Sequence, residues 1–163
     1  MSTATRKKKK QSNHWSKQEK RMDDKFSVLI RLKYNLICCR CQKKYLIEND
    51  KIPNAIHNMH RHTRTKRNTR WSYENCFCGC YGCHSFLDRN KDTQWDRFLI
   101  ESGLHTEDSL LLLRYKSEQV FKGDRTFIEL WINQELKKVL PNFQELNYSF
   151  LKPIYRELKW HYT

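Results

Sequence analysis

The stretch ENCFCGCYGCH, residues 74–84, holds four of the chain's seven cysteines. It contains a Cys-x-x-Cys turn made by Cys80 and Cys83, and an earlier turn of the same kind is made by Cys38 and Cys41. Two such turns supply the four thiolates of a tetrahedral zinc site. The spacing therefore predicts a structural zinc ion that clamps both ends of the segment between the turns.

Three further cysteines leave other ligand sets open, because Cys-x-Cys pairs also bind metals. The alternative for Cys39, Cys76 and Cys78 is burial as small apolar side chains, and this is what we expect of them. Gly82 is expected to permit a tight backbone inside the second turn. An odd number of cysteines fits metal-bound thiols in a reducing, intracellular compartment better than a disulfide scaffold.

The net charge of +14 is concentrated in the cysteine-rich part of the chain. Residues 1–35 carry 11 Lys/Arg against 3 Asp/Glu, residues 36–90 carry 10 against 4, and residues 91–163 carry 11 of each. This asymmetry favours a polyanionic partner such as nucleic acid. No stretch approaches the ~20 apolar residues of a membrane span, so we expect no membrane partner.

The N-terminal part divides into two predicted segments. Residues 1–22 are polar and basic, and we expect a flexible arm that serves as a solubilising tail, a phosphate-binding arm or a nuclear address. Residues 23–92 form the predicted zinc-clamped module, which opens with an amphipathic helix in DDKFSVLIRLKY. The remainder of this module is expected to form hairpins and one short helix.

Residues 93–163 are predicted to form a helical extension. A first helix is expected to end at Gly103, a second to begin after the N-cap Thr106, and a third to begin at Asp124. A last helix or irregular tail is expected over residues 148–160. Leucine and aromatic stripes in these helices indicate core contacts rather than a ligand site.

Between the two cysteine turns lies NAIHNMHRHTRTKRNTRWSYEN, residues 54–75. It has three histidines within six residues, followed by several Arg and Lys residues and an Asn. Histidines among arginines are poor core material. They suit a hydrolytic phosphate site, in which imidazoles take a proton or bind a divalent ion and cations hold phosphates.

The order Cys-x-x-Cys, His, Asn, Cys-x-x-Cys-His resembles the zinc-clamped HNH (ββα-metal) endonucleases. The stretches MHRHTR, TRWSYEN, CYGCH and WDRFLIESG are similar to those of the phage NinG/Rap-like recombination endonucleases, and the agreement covers residues 23–115. The resemblance implies an α+β fold: a small ββα-metal module with an N-terminal helix and a C-terminal helical extension.

The resemblance also implies roles for individual residues. His60 matches the general base that deprotonates the attacking water, and Asn75 matches the asparagine that pins the loop before the helix. His84 matches a ligand of the catalytic divalent ion, Mg²⁺ or Mn²⁺. Arg64 and Arg70 match basic positions that contact phosphate or stabilise the transition state.

Alternatives exist for some of these residues. Asn75 also suits an ordinary turn, and Arg70 beside Trp71 also suits stacking or a buried ion pair. The remaining basic residues of the loop are expected to contact the nucleic-acid backbone together with Arg64 and Arg70; they are Arg61, Lys66 and Arg67.

The chain departs from the family pattern at Met59, where many HNH enzymes carry a metal ligand directly before the catalytic histidine. Met59 cannot serve a hard ion. His57 or His62 could supply the missing ligand, and Asp88 could be a second ligand on the helical face of His84. On an extended strand His57 faces away from His60, so we expect that a bulge would be needed to bring His57 to the site.

The function that the resemblance implies is metal-dependent hydrolysis of DNA, on branched or recombining substrates, with helices of the extension as a candidate homodimer contact. The implied location is the host cytoplasm if the chain is phage-encoded, or the nucleus of a eukaryotic host. Met59 favours the alternative of a non-catalytic, zinc-stabilised nucleic-acid-binding module. A third reading is a partner-binding protein that keeps only the zinc clamp.

Overall fold

The computed structural model describes residues 3–48, 52–89 and 91–140, which form an α+β fold. Within these residues one antiparallel hairpin is surrounded by five helices, which confirms the α+β class. In chain order the elements are α1 (Thr3–Lys33), β1 (Ile56–His60), β2 (Cys76–Cys80), α2 (Tyr81–Arg89), α3 (Lys91–Glu101), α4 (Glu107–Glu118) and α5 (Arg125–Val139).

Helix α1 begins at Thr3, whereas the sequence predicted a flexible arm to residue 22 and a helix from Asp23. The basic stretch is rich in Lys, Arg, Gln and Glu, which are strong helix formers, and it contains no Pro or Gly. Met22 is fully buried in the same core cluster as Phe26. The packed part of the helix therefore starts ahead of the predicted boundary.

The hairpin pairs Ile56 with Cys80 and His60 with Cys76, without a bulge between them. Because side chains alternate along a strand, each face of the hairpin carries every second residue. Ile56 belongs to the core cluster that contains the apolar residues of α1. Met59 belongs to a second cluster with residues of α2, α3 and α4. The hairpin is thus covered by α1 on one face and by the later helices on the other.

Met59, the departure from the family pattern, is a core residue. It is fully buried, and its cluster includes Leu87 of α2 and Trp95 of α3. A Cβ atom added at Gly79 on the neighbouring strand would collide with the Met59 side chain. Gly79 therefore provides the room that Met59 occupies.

Helix α3 ends as predicted at a left-handed glycine. Gly103 has φ +68°, its N–H donates to the Ile100 carbonyl at 3.0 Å, and the Leu104 N–H donates to the Leu99 carbonyl at 3.0 Å. These two bonds satisfy carbonyls of the last turn that would otherwise lack partners.

The predicted starts of the next two helices are confirmed. The Thr106 hydroxyl accepts a hydrogen bond from the Ser109 N–H in a capping box, and the Asp124 carboxylate caps α5. Helix α5 returns to α1, where Lys25 Nζ lies 3.1 Å from a carboxylate oxygen of Glu129. The element predicted over residues 148–160 lies outside the described residues.

Candidate functional site

The four cysteines predicted to hold zinc come together at one end of the hairpin. The Sγ atoms of Cys38, Cys41, Cys80 and Cys83 all lie within 4.8 Å of one another, and those of Cys41 and Cys80 are 3.8 Å apart. Zinc–sulfur bonds of ~2.3 Å in a tetrahedron place the sulfurs ~3.8 Å apart. The four cysteines can therefore hold a metal ion such as zinc.

Two separate parts of the chain present these ligands. Cys80 ends β2 and Cys83 lies in the first turn of α2. Cys38 lies in a turn in which the Gln42 N–H donates to the Cys38 carbonyl at 2.9 Å. Gly82 does not adopt a left-handed φ, so the expectation that it relieves a tight turn was wrong; the backbone there is ordinary helix.

The pKa of the Cys38 thiol reflects two opposing effects. Burial raises this pKa, but hydrogen bonds from the backbone N–H groups of Cys41, Cys80 and Arg40 lower it by more. The net result is a pKa of about 7, against an ordinary value of 9.0. Burial instead raises the pKa of the Cys83 thiol, so the lowered pKa belongs to Cys38 and not to the whole cluster.

The other three cysteines lie outside the cluster, as the sequence predicted. Cys76 and Cys78 are fully buried, and Cys39 packs half-buried against the second core cluster. Burial raises the pKa of all three thiols. They are packing residues that stay protonated at neutral pH.

A pair of histidines joins the first strand to α2. The Nδ1 atoms of His57 and His84 lie 3.1 Å apart, and the rings are nearly perpendicular. Each ring also has an oxygen at its Nε2 atom: the Asn54 carbonyl lies 2.8 Å from His57 Nε2, and a carboxylate oxygen of Asp88 lies 3.2 Å from His84 Nε2. Both rings are thus oriented by a second contact on the far nitrogen.

As strand alternation predicts, His57 stays on the face opposite to His60, because no bulge interrupts β1. The strand is regular, and α2 covers the face that carries His57 and Met59. His84 lies in the first turns of α2, close to the start of β1, and there it contacts His57. His57 and Met59 share this face of the hairpin, because they are two residues apart on the strand.

His60 lies on the opposite face of the strand, towards α1. Burial lowers the pKa of its imidazole to about 4; Arg64 and His84 also lower it, and Asp23 acts in the opposite direction. The ring is therefore neutral at pH 7, and its surroundings disfavour the protonated form.

Asn75 pins the loop that joins the two strands. Its side chain is fully buried, and its Oδ1 accepts the His62 N–H at 2.7 Å. Its Nδ2 donates to the carbonyls of His62 and Thr69, each at 3.0 Å. Three hydrogen bonds to two points of the loop hold the segment directly after His60, which is more than an ordinary turn asparagine does.

Arg70 and Arg61, predicted to contact nucleic acid, are joined to carboxylates. The Arg70 guanidinium donates to both oxygens of Asp23, at 2.9 and 2.6 Å. Arg70 therefore forms an ion pair, which was the alternative considered for it. Arg61 donates to both oxygens of Asp96, at 2.6 and 2.9 Å. Both guanidinium groups are mostly buried, and they tie the loop to α1 and α3.

The other three basic residues of the loop keep much of their surface. The side chains of Arg64, Lys66 and Arg67 are 42, 39 and 49 % exposed. Each lies within ion-pair distance of one acid: Asp23 for Arg64, Glu118 for Lys66 and Glu19 for Arg67. They form an exposed basic edge of the loop.

Sequence reasoning missed the acids of α1 as partners of this loop. Glu19 lies near three arginines, and Asp23 also accepts a hydrogen bond from the Trp71 indole at 2.9 Å. Asp24 is half-buried beside them, and burial raises its pKa to about 6. The available signal was the four-residue spacing of Glu19 and Asp23, which share one helical face, but Glu19 fell within the predicted flexible arm, where such spacing has no meaning.

No helix among the described residues is long and apolar enough to cross a membrane. A scan of the chain against protein-family models finds no match, and searches of curated proteins and of solved structures find none either.

Proposed function

We propose that the chain is a metal-dependent DNA endonuclease of the HNH (ββα-metal) type. The observation that carries this proposal is the pair of histidines, His57 and His84, whose Nδ1 atoms lie 3.1 Å apart. The Nε2 atom of each ring lies within hydrogen-bond distance of an oxygen atom. The pair lies between a β-hairpin and the helix that follows it.

This arrangement suits two imidazole ligands of one ion. Nitrogens bound at ~2.1 Å stand ~3.0–3.4 Å apart, between octahedral and tetrahedral angles. Metal-binding histidines usually donate their other N–H to a carbonyl or a carboxylate. Here the Asn54 carbonyl accepts from His57, and the Asp88 carboxylate accepts from His84. His57 and His84 are thus the proposed ligands, and Asp88 orients His84 rather than binding the ion.

The donor set also bears on the choice of ion. Imidazole nitrogens suit first-row transition ions better than Mg²⁺, which prefers oxygen ligands and retains its waters. Mn²⁺ is therefore the proposed catalytic ion ahead of Mg²⁺, and Zn²⁺ is the structural ion of the four cysteines. When bound, the catalytic ion supplies Lewis-acid stabilisation of the charge that develops on the scissile phosphate.

The protein's own groups carry the proton transfer. His60, neutral at pH 7, is the proposed acceptor of the water's proton; this role follows from the family resemblance, since its ring lies on the face of β1 opposite to that of His57. Asn75 keeps the loop after His60 in place, and the four-cysteine clamp holds the start of α2 and thereby His84. The expected products carry a 5′-phosphate and a 3′-hydroxyl.

The proposed substrate is DNA, held through the basic edge of Arg64, Lys66 and Arg67. Because this contact is electrostatic, binding weakens steeply with added salt. Branched or recombining DNA, a homodimer and a reducing intracellular compartment remain parts of the proposal that follow from the family resemblance.

A second candidate is a non-catalytic, zinc-stabilised nucleic-acid-binding module. Two observations favour it: His60 faces α1 rather than the His57–His84 pair, and Arg70, expected to stabilise the transition state, is engaged by Asp23. Binding without cleavage would distinguish it from the nuclease.

The test is a cleavage assay on supercoiled plasmid and on a synthetic four-way junction, with Mn²⁺, Mg²⁺ or no added ion. The variants are His60→Ala, His57→Ala and His84→Ala, with His105→Ala as a matched control, since His105 lies at the start of α4 and contacts Ser109. We expect Mn²⁺-dependent cutting that His105→Ala keeps and the other three lose. DNA binding by the wild type without cutting under either ion would move the assignment to the binding module.

A further inference from the structure

A groove of about 410 Å³ lies between the loop that joins the two strands and the first half of α5. Its walls are largely aromatic, and they include Trp71, Tyr73, Phe121, Phe127 and Trp131. The proposed cleavage chemistry uses none of these rings. The groove is therefore a separate feature of the same face that carries the exposed basic edge.

The aromatic side chains of the groove differ in exposure and in the contacts that hold them. Tyr73 and Trp131 meet edge to face with ring centroids 5.4 Å apart, and the Tyr73 hydroxyl donates to Glu135 at 3.0 Å, so this wall is held in place. Phe127 is 72 % exposed on the first turn of α5. Phe127 precedes Trp131 by about one helical turn, so this exposed phenyl ring lies beside a fixed aromatic wall, and a flat ring can stack on such a surface.

Cationic side chains surround this groove. Arg67 lines it and is half exposed. A second hollow of about 330 Å³ adjoins it through the shared residue Asn68 and is lined by Lys122 and by Lys116, whose Nζ lies 2.9 Å from the Glu74 carboxylate. Asn68 is fixed at the junction, since its Nδ2 donates to the Gln119 carbonyl. An aromatic hollow thus lies beside a lysine-lined one.

We propose that the two hollows together bind an unpaired nucleotide of DNA. The base stacks against Phe127 in the aromatic groove, and its phosphate lies near Lys116 and Lys122. Every base has a π-face, so stacking of this kind tolerates any sequence. Bases inside a duplex are already stacked and do not enter, so the site recognises single-stranded segments. The inference rests on the proposed function and names its substrate class: DNA that contains unpaired nucleotides.

The experiment measures binding of the full-length zinc-loaded chain to labelled oligonucleotides by fluorescence anisotropy, without added divalent ions so that cleavage does not interfere. One probe is a single strand and the other is a blunt duplex of the same length. A second single strand carries 2-aminopurine, whose fluorescence reports stacking. The variants are Phe127→Ala and Lys122→Gln. Leu130→Ala is the matched control, because Leu130 is 56 % exposed on the same helix but does not line the groove.

We expect Phe127→Ala to weaken single-strand binding about tenfold, the effect of one lost stacking contact, and to abolish the quenching of 2-aminopurine. Duplex binding stays within about twofold of the wild type, since it depends on phosphate contacts elsewhere. Lys122→Gln reduces single-strand binding and its salt dependence, and Leu130→Ala changes neither probe.

Unchanged single-strand binding by Phe127→Ala, or equal losses for both probes, would overturn the inference and leave the proposed nuclease intact. Failure of the wild type to bind either probe at low salt would overturn both the inference and the proposed function.

Discussion

Asp23 of α1 accepts hydrogen bonds from both the Arg70 guanidinium, at 2.9 and 2.6 Å, and the Trp71 indole, at 2.9 Å. One carboxylate thereby fastens the first helix to the loop between the strands, nearly fifty residues away along the chain. The side chains of Asp23 and Arg70 are only 12 and 15 % exposed, so solvent screens their attraction weakly. The loop that carries the basic edge depends on this contact for its position.

Replacing Asp23 with Asn is therefore expected to destabilise the fold substantially. The substitution keeps the shape but removes the bidentate partner of the largely buried Arg70, which retains only the more distant Glu19 at 3.4 Å, and it costs about 3 kcal/mol. Urea unfolding followed by circular dichroism measures the loss. The matched control is Glu101→Gln, which breaks an exposed pair with Arg97 and should leave the unfolding midpoint unchanged. Equal effects of the two substitutions would contradict a structural role for Asp23.

The four-cysteine cluster predicts one tightly bound zinc ion per chain. Cys41→Ser removes one ligand and should yield protein with little bound zinc and a much lower melting temperature, because structural zinc contributes directly to folding. Cys39→Ala is the control: this neighbouring cysteine lies outside the cluster and should keep full zinc content. Metal content is measured by mass spectrometry of the purified proteins. Loss of zinc from Cys39→Ala together with retention in Cys41→Ser would mean that the ligand set is different.

Replacing glycine with alanine is expected to have opposite effects on the stability of the fold at Gly82 and at Gly103. Gly82 has helical backbone in α2 with open space around it, so Gly82→Ala should stabilise the fold by about 0.5–1 kcal/mol. Gly103 has φ +68°, which an L side chain adopts at a cost, so Gly103→Ala should destabilise it by about 1 kcal/mol. Thermal unfolding of both variants tests the pair. A stabilised Gly103→Ala variant would show that α3 does not end in the described left-handed turn.

The parts of the fold that the sequence predicted well are those set by local chemistry. Thr106 and Asp124 accept hydrogen bonds from N–H groups two or three residues away, and Gly103 ends a helix by its own φ; such signals are contained in a few residues. The zinc set was also predictable, since Cys-x-x-Cys spacing by itself brings two sulfurs to one ion. The helix ends required no knowledge of how distant elements pack, and for the zinc set the ion's need for four sulfurs was enough to pair two distant turns.

What the sequence could not supply depends on packing between distant elements. His57 reaches His84 only because α2 covers one particular face of the hairpin, and strand alternation alone does not say which face that is. Arg70 is held by Asp23 of a helix that precedes it by more than forty residues. The start of α1 was missed because a run of charged residues is compatible with both a helix and a flexible arm.

The dependence of stability on pH provides a further test, because two groups between α1 and the hairpin act in opposite directions. The pKa of His60 is about 4 in the folded chain against 6.5 when free, so between these values only the unfolded chain binds the proton. Its contribution to stability is complete above pH 6.5 and is lost as the pH falls towards 4. The pKa of Asp24 is about 6 against 3.8, so the folded chain binds that proton first, and its contribution grows as the pH falls from 6.

We therefore expect the wild type to show a shallow slope between pH 6 and pH 5, where the two effects oppose each other. Asp24→Asn should lose stability more steeply on acidification than the wild type, and His60→Gln should lose less or gain. The measurement is the urea midpoint of each protein at several pH values and constant ionic strength. All three proteins share the four-cysteine site, so competition of protons for its thiolates cancels in the differences between them. Parallel curves for the three proteins would mean that neither His60 nor Asp24 titrates as their burial implies.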